Sequence, residues 1–243
     1  MESNNPVLSQ KSFANLRVDG PVMTLGGVTF KSGILLLLTV LSAGMAWNST
    51  SANPALAGGW MLGGGVGGLM VALVLIFKKE WSPILAPAYA ILEGCALGSI
   101  SLLFSVKYQG IAFQAAGLTL GVLAMMLALY RFRIIRATEK FKLGVFAATG
   151  AIALMYLVSM VMGFFGKSVP FLHDASPLSI GISLVIVGVA ALNLILDFDL
   201  IENAVRDGAP AYMEWYCGFS LLVTIVWLYL EILRLLSKLN DRR

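Results

Sequence analysis

The sequence predicts an all-α, polytopic membrane protein built as a bundle of seven transmembrane helices. Of the 243 residues, 58% are hydrophobic and only 12% are charged. The mean hydropathy of +0.86 lies outside the range of water-soluble domains of this length. The apolar runs approach the roughly 20 residues with which a helix crosses about 30 Å of hydrocarbon, and they far exceed the roughly 10 residues of a barrel strand.

Windows of about 19 residues identify seven apolar spans. Short polar segments separate them, which is typical of one compact helical bundle. The spans are 33–47, 56–77, 84–104, 111–130, 143–165, 178–201 and 212–236.

The residues before and after the spans predict two tails. Residues 1–31 hold Asn, Ser, Pro and Gly with little periodicity, so we expect a flexible polar N-terminal tail. Residues 32–239 then form the seven-helix transmembrane domain, and residues 240–243 form a short C-terminal tail. No run predicts a soluble catalytic domain, and the first apolar run starts too late for a cleaved signal peptide.

Basic residues predict the orientation, because Lys and Arg favour the cytoplasmic side. A cytoplasmic N-terminus puts eleven of the seventeen on that side: Lys11, Arg17, Lys31, Lys78, Lys79, Arg131, Arg133, Arg136, Lys140, Lys142 and Arg206. Seven crossings then place the C-terminal Arg234, Lys238, Arg242 and Arg243 outside, against the rule. A seventh run that re-enters without crossing would remove this conflict.

The net charge of +4 needs no nucleic-acid partner, because basic residues at helix ends anchor a protein to anionic lipid headgroups. The lipid bilayer is therefore the predicted partner. We expect an integral multi-pass protein of a bacterial inner (plasma) membrane.

Glycine spacing predicts close helix packing. In the second span, Gly63 and Gly67, and likewise Gly64 and Gly68, are four residues apart, and this spacing lets helix backbones approach closely. Gly94 and Gly98 repeat the spacing in the third span.

Acidic residues inside the spans are the candidate functional residues: Glu93, Asp197, Asp199 and Glu231. An ionised acid at the bilayer centre costs roughly 2.5–3.5 kcal/mol on insertion scales, so such residues commonly mark ion or proton pathways. Asp199 lies close enough to a helix end to reach interfacial water. Arg234 follows Glu231 by three residues and is a candidate counter-ion for it.

Asp197 and Glu231 predict an ion pathway and a pH sensor. Two carboxylates in close contact cannot both ionise cheaply in a low dielectric, so they would share one proton. A hard cation such as calcium could relieve their repulsion, which makes both residues candidate calcium ligands. In a helical hairpin turning near Gly208, Glu231 would lie roughly 16 Å deeper than Asp197 at 1.5 Å per residue. Contact between them then requires tilt, a broken helix or a late helix start after Pro210.

Four sequence runs resemble the Bax inhibitor family of membrane proteins, and the resemblance covers essentially the full chain. LDFDLI at 196–201 and LYLEILRLL at 228–236 resemble the last two helices of that family, whose paired acids match Asp197 and Glu231. MTLGG at 23–27 and AILEG at 90–94 resemble its bacterial branch.

The resemblance implies seven helices around a central seventh helix and, for bacterial relatives, a pH-sensitive calcium leak governed by the acid pair. The chain departs from the family pattern where Glu231 replaces an aspartate and Leu196 replaces a tyrosine. A basic residue that the family places at the end of the second helix matches Lys78 or Lys79 only loosely.

Three functions follow as hypotheses. The first is a pH-sensitive cation leak channel, with calcium or another cation and protons as its partners. The second is a membrane scaffold or a modulator of a membrane protease, which needs a membrane-protein partner and no transport. The third is an intramembrane hydrolase, which is disfavoured because no Gly-x-Gly-Asp motif accompanies either acid. We therefore expect neither an enzyme nor a cofactor.

Overall fold

The computed structural model describes residues 20–165, 174 and 176–242. Over these residues the chain forms seven α-helices and no strand. The helices are α1 (Leu25–Ala52), α2 (Leu56–Phe77), α3 (Ser82–Lys107), α4 (Ile111–Arg131), α5 (Glu139–Phe164), α6 (Pro177–Arg206) and α7 (Met213–Asp241), with a 3-10 turn at Lys79–Trp81 before α3. All seven are long and apolar enough to cross a membrane. The predicted all-α fold of a multi-pass membrane protein is confirmed.

Six of the seven helices extend beyond their predicted spans at one end or both, most of all at the start of α1, whereas α2 matches its span. That helix begins at Leu25, inside the predicted N-terminal tail 1–31, because the Thr24 side chain caps it by accepting from the Gly27 N–H at 2.9 Å. Residues 1–19 of that tail lie outside the described residues. At the other end, α7 continues to Asp241, into the predicted tail 240–243. Its 29 residues are long and apolar enough for a crossing, and the alternative of a re-entrant seventh run stays open.

The chain divides into two compact units, each described here by itself. Unit 1 comprises the described residues of Met1–Lys107 together with Asp197–Val223. Unit 2 comprises those of Tyr108–Leu196 and Thr224–Arg243. The division passes through α6 and α7, so each of these helices contributes residues to both units. The central position of α7 stays a prediction.

Glycines bring α3 close to its neighbours in unit 1. A Cβ at Gly64 of α2 would lie 2.5 Å from the backbone oxygen of Leu92, and a Cβ at Gly98 of α3 would overlap the backbone of Ala43 on α1. Only glycine fits such contacts, as the four-residue spacing predicts. Gly63, by contrast, has open space around it. One of the two predicted glycine pairs on α2 therefore forms the close packing surface, namely Gly64 and Gly68.

Residues 20–24 form a strap across the turn between α6 and α7. The Met23 N–H donates to the Ala209 oxygen at 2.8 Å, and Val22 pairs with Pro210 in an isolated antiparallel bridge. Met23 itself is buried. The strap thereby ties the beginning of α1 to the beginning of α7.

Glu214, in the first turn of α7, stabilises the same junction through its carboxylate. It accepts from the Thr24 N–H at 2.8 Å and from the Lys31 ammonium at 2.5 Å. The Lys31 charge is therefore neutralised by an acid far along the chain.

Polar side chains on α5, α6 and α7 contact each other within unit 2. Asn193 of α6 donates to the Thr149 hydroxyl of α5 at 2.8 Å. The buried Lys238 of α7 donates to the Ser183 hydroxyl of α6 at 2.8 Å. These hydrogen bonds satisfy polar groups that would be costly against lipid, so they fix the register of the three helices.

Candidate functional site

Asp197 lies inside α6, nine residues before the helix ends, which is roughly 14 Å along the axis. Its side chain is buried, at 7% exposure, in unit 1. It accepts a hydrogen bond from the Ser220 hydroxyl of α7 at 3.4 Å. The sequence prediction of a deep acid at this position is therefore matched by burial and by a polar neighbour.

Glu231 lies eighteen residues into α7, roughly 27 Å from the start of the helix. It is 2% exposed, and it belongs to unit 2. The Tyr156 hydroxyl of α5 donates to its Oε1 at 2.8 Å, and Arg234 Nη1 lies 3.1 Å from both carboxylate oxygens. The counter-ion that the three-residue spacing indicates is present as an ion pair.

Arg234 also contacts the tyrosine, and the three side chains close a ring of contacts that we call the Glu231 triad: Tyr156, Glu231 and Arg234. Arg234 Nη1 donates to the Tyr156 hydroxyl at 2.5 Å, and the guanidinium lies 5.1 Å from the centre of the tyrosine ring. The Glu231 carboxylate thus contacts both a positive charge and a hydroxyl donor. Protonation of Glu231 would remove the charge that holds Arg234 in place.

The two principal acids belong to different units. Each has partners within its own unit, and the shared proton between Asp197 and Glu231 stays a prediction. The prediction that Lys78 or Lys79 holds one of them also stays open. Lys78 caps α2, and the Lys79 ammonium lies 5.4 Å from the ring centre of Tyr216.

The two supporting acids differ from each other in position. Asp199 is half-buried in the last turns of α6, where Asn203 Nδ2 donates to it at 3.0 Å. Glu93 lies in the middle of α3, and a Cβ at Gly68 would be 2.8 Å from its Oε2. Asp199 lies seven residues before the end of α6 and its expected contact with interfacial water stays a prediction, whereas Glu93 lies at mid-helix against α2.

Tyr156, Ser220 and Lys238 were not identified from the sequence. Tyr156 is the one side chain with an ionisable group between Leu143 and Phe164, and its isolation in an apolar run was a signal that could have marked it. Ser220 gives no such signal, because serine is common in membrane helices. Lys238 was taken for an interfacial anchor but is 4% exposed.

Cation binding at these acids is not tested by the geometry. Among the described residues, no group of three or more His, Cys, Asp or Glu side chains could together hold a metal ion. Calcium at Asp197 and Glu231 therefore stays a prediction. A single ionised carboxylate can still attract a passing cation, which is cargo and not a resident metal.

One comparison with known proteins identifies a family. A family described as Bax inhibitor 1 like matches residues 5–241, nearly the whole chain. No curated protein and no solved structure matches the chain.

Proposed function

Because the chain belongs to the Bax inhibitor 1 like family, we propose that it is a pH-sensitive cation leak of its membrane, with calcium as the first cation to test. Asp197 and Glu231 are the acids whose protonation would control the flux. The family resemblance supports the activity, and the positions of the two acids support their role.

The burial of these acids in membrane-spanning helices is the observation that carries the proposal. Asp197 is 7% exposed and Glu231 is 2% exposed, and each accepts hydrogen bonds from side chains of neighbouring helices. An acid that served only as an anchor would lie at a helix end, as Glu214 does. Intramembrane acids with specific partners are typical of ion and proton pathways.

The sign of the pH dependence follows from charge. An ionised carboxylate attracts a cation, and a protonated one does not. Acidification would protonate Asp197 and would break the ion pair between Glu231 and Arg234. We therefore expect cation flux to rise as the pH rises through the titration of the two acids, with the helix packing of α6 and α7 as the element that responds.

Calcium entry into proteoliposomes tests the proposal. The Asp197→Asn variant should lose much of the pH dependence of calcium flux, because it removes a titrating group with little change in shape. Asp199→Asn is the matched control, since it makes the same chemical change two residues further along α6. A pH profile of Asp197→Asn identical to that of the unmodified protein would contradict the proposal.

A second candidate function is a scaffold or a modulator of a membrane protease, and the strap supports it. Residues 20–24 connect the N-terminal tail directly to the turn before α7, so a partner that bound the tail could act on that helix. Deletion of residues 1–20 should then abolish the cellular effect and leave calcium flux intact. If the effect survives this deletion, the tail-mediated function is wrong.

We do not propose enzymatic activity. Neither Asp197 nor Glu231 stands in a Gly-x-Gly-Asp sequence, and Glu231 is held by a counter-ion and not by a second acid. Incubation with a transmembrane peptide, followed by mass spectrometry, should show no cleavage.

A further inference from the structure

Glu93 occupies the middle of α3, about 16 Å from the start of the helix and about 21 Å from its end. Its side chain is only partly exposed, in unit 1. Within the described part of the chain it has no hydrogen bond and no ion pair. This acid therefore differs from Glu214 and Glu231, whose partners are charged.

The surroundings of Glu93 contain little that could stabilise a negative charge. Its Oε2 lies against Gly68 of α2, a helix without any titratable side chain. Tyr89, one turn earlier on α3, packs on the same glycine: a Cβ at Gly68 would lie 3.7 Å from Cε2 of the Tyr89 ring. A glycine at this point leaves room for the carboxyl group between the two helices.

The charged groups on the neighbouring elements are engaged elsewhere. On α1 the charged residue is Lys31, which pairs with Glu214. On the 3-10 turn, Lys79 lies over the ring of Tyr216. The remaining titratable groups on these elements are the Tyr89 hydroxyl and the Cys95 thiol of α3 with Lys107 at its last residue, Lys78 and Glu80 beside Lys79, and Tyr216 and Cys217 in the unit 1 part of α7. Because no neighbouring charge compensates an ionised carboxylate at this depth, burial favours the neutral form of Glu93.

Packed side chains connect the surroundings of Glu93 with those of Asp197 inside unit 1. The ring of Tyr89 contacts that of Phe219 on α7 edge to face, with ring centres 4.8 Å apart. The next residue, Ser220, donates to Asp197. A change in the charge of Glu93 would therefore occur close to the side chains that contact Asp197.

We propose that Glu93 is a proton-binding site inside the membrane, a carboxyl group that is neutral at neutral pH and exchanges its proton with water as the pH rises. The site consists of the Glu93 carboxyl, the Gly68 face of α2 and the Tyr89 ring. Glu93 would be a third acid of the proposed leak, and its physiological role rests on that proposed function. Proton binding by Glu93 can nevertheless be measured without any flux.

A lipid-soluble carbodiimide tests the site, because it reacts with neutral carboxyl groups in apolar surroundings. The carboxyl O–H adds across one C=N bond of the reagent: the oxygen bonds to carbon, the proton moves to nitrogen, and nothing leaves. The full-length protein in lipid nanodiscs is treated with dicyclohexylcarbodiimide at a series of pH values, and labelled peptides are identified by mass spectrometry. Glu231 serves as an internal reference for an acid with a counter-ion.

We expect Glu93 to be labelled at about pH 7. An ordinary glutamate is ionised at this pH, because its unperturbed pKa is about 4.3. Labelling should then fall about tenfold per pH unit above the midpoint of its titration. Absence of labelling at neutral pH would show an ionised acid and would overturn the proposal. Labelling that stays constant to alkaline pH would show a carboxyl that never exchanges its proton, and this result would overturn it as well.

Two glycine substitutions on α2 separate the site from general effects on the helix. Gly68→Ala places a methyl group where Glu93 Oε2 lies, so the flexible carboxyl must move away from α2. The fall in labelling should then shift to lower pH, because the displaced carboxyl group leaves the apolar space beside α2 that favours its neutral form. Gly63→Ala is the matched control, since its methyl group meets open space and should leave the labelling unchanged. If both variants label like the unmodified protein, Gly68 is not part of the site and the proposal is wrong. A failure of these labelling tests would leave the flux result for Asp197→Asn unaffected, so the two proposals can fail separately.

Discussion

Glu231 and Glu93 are both carboxyl groups deep in membrane-spanning helices, yet their surroundings differ. Glu231 of α7 lies 3.1 Å from the Arg234 guanidinium and accepts from the Tyr156 hydroxyl. Glu93 of α3 lies against a glycine and, over the described residues, has no hydrogen bond or ion pair.

The difference shows two ways in which a membrane protein tolerates an acid. Glu231 has a counter-ion on the next helical turn, and the ion pair carries no net charge into the bilayer. Glu93 avoids the cost of ionisation by keeping its proton. Changes that remove partners should therefore affect the Glu231 triad strongly and the surroundings of Glu93 weakly.

Arg234→Leu should have the largest effect on stability. It leaves the buried Glu231 without its positive partner, and breaking a fully buried pair in this way costs about 3–5 kcal/mol. Because the Arg234 side chain is 38% exposed, we expect a smaller loss of about 2 kcal/mol in the free energy of unfolding. Denaturation of the detergent-solubilised protein, followed by far-UV circular dichroism, measures it.

The double variant Arg234→Leu with Glu231→Gln is the control for that prediction. It removes both charges together, so most of the lost stability should return. A double variant as unstable as Arg234→Leu would show that the loss comes from the packing of the arginine stem and not from the ion pair.

Tyr156→Phe should have an intermediate effect. The ring stays in place and Arg234 still neutralises Glu231, so only the hydroxyl donor is lost. We expect a decrease of about 1 kcal/mol in the free energy of unfolding. In a Glu231→Gln background the same substitution should cost less, because a hydrogen bond to a neutral acceptor is weaker than one to a carboxylate. Equal losses in both backgrounds would contradict the coupling within the triad.

Glu93→Gln should have the smallest effect, within about 0.5 kcal/mol of the unmodified protein near neutral pH. Glutamine has nearly the shape of the neutral acid, and no ion pair is lost. The same unfolding measurement applies. A loss comparable with that of Arg234→Leu would mean that Glu93 has a charged partner, and the contrast between the two acids would no longer hold.

Much of the architecture could be predicted from the sequence, because the length and apolar composition of a run identify it as a membrane span. The spacing of glycines also predicted two candidate pairs for close packing on α2, of which the structure uses Gly64 and Gly68. The start of α1 at Leu25 could not be predicted, since the ion pair between Lys31 and Glu214 near it joins residues that are 183 positions apart in the sequence.

The candidate acids could likewise be found from the sequence, but their partners only in part. Arg234 was identifiable because a three-residue spacing is local to one helix. Tyr156 lies 75 residues from Glu231, and Ser220 lies 23 residues from Asp197 across a turn, so neither contact follows from helical periodicity. The role of Gly68 beside Glu93 depends in the same way on how α2 packs on α3.

Calcium flux through the double variant Asp197→Asn with Glu231→Gln, reconstituted in liposomes and compared with the unmodified protein from acidic to alkaline pH, tests the central claim most directly. If protonation of these two acids controls the leak, flux through the double variant should lose most of its dependence on pH. A double variant whose flux rises with pH as steeply as that of the unmodified protein would contradict the account.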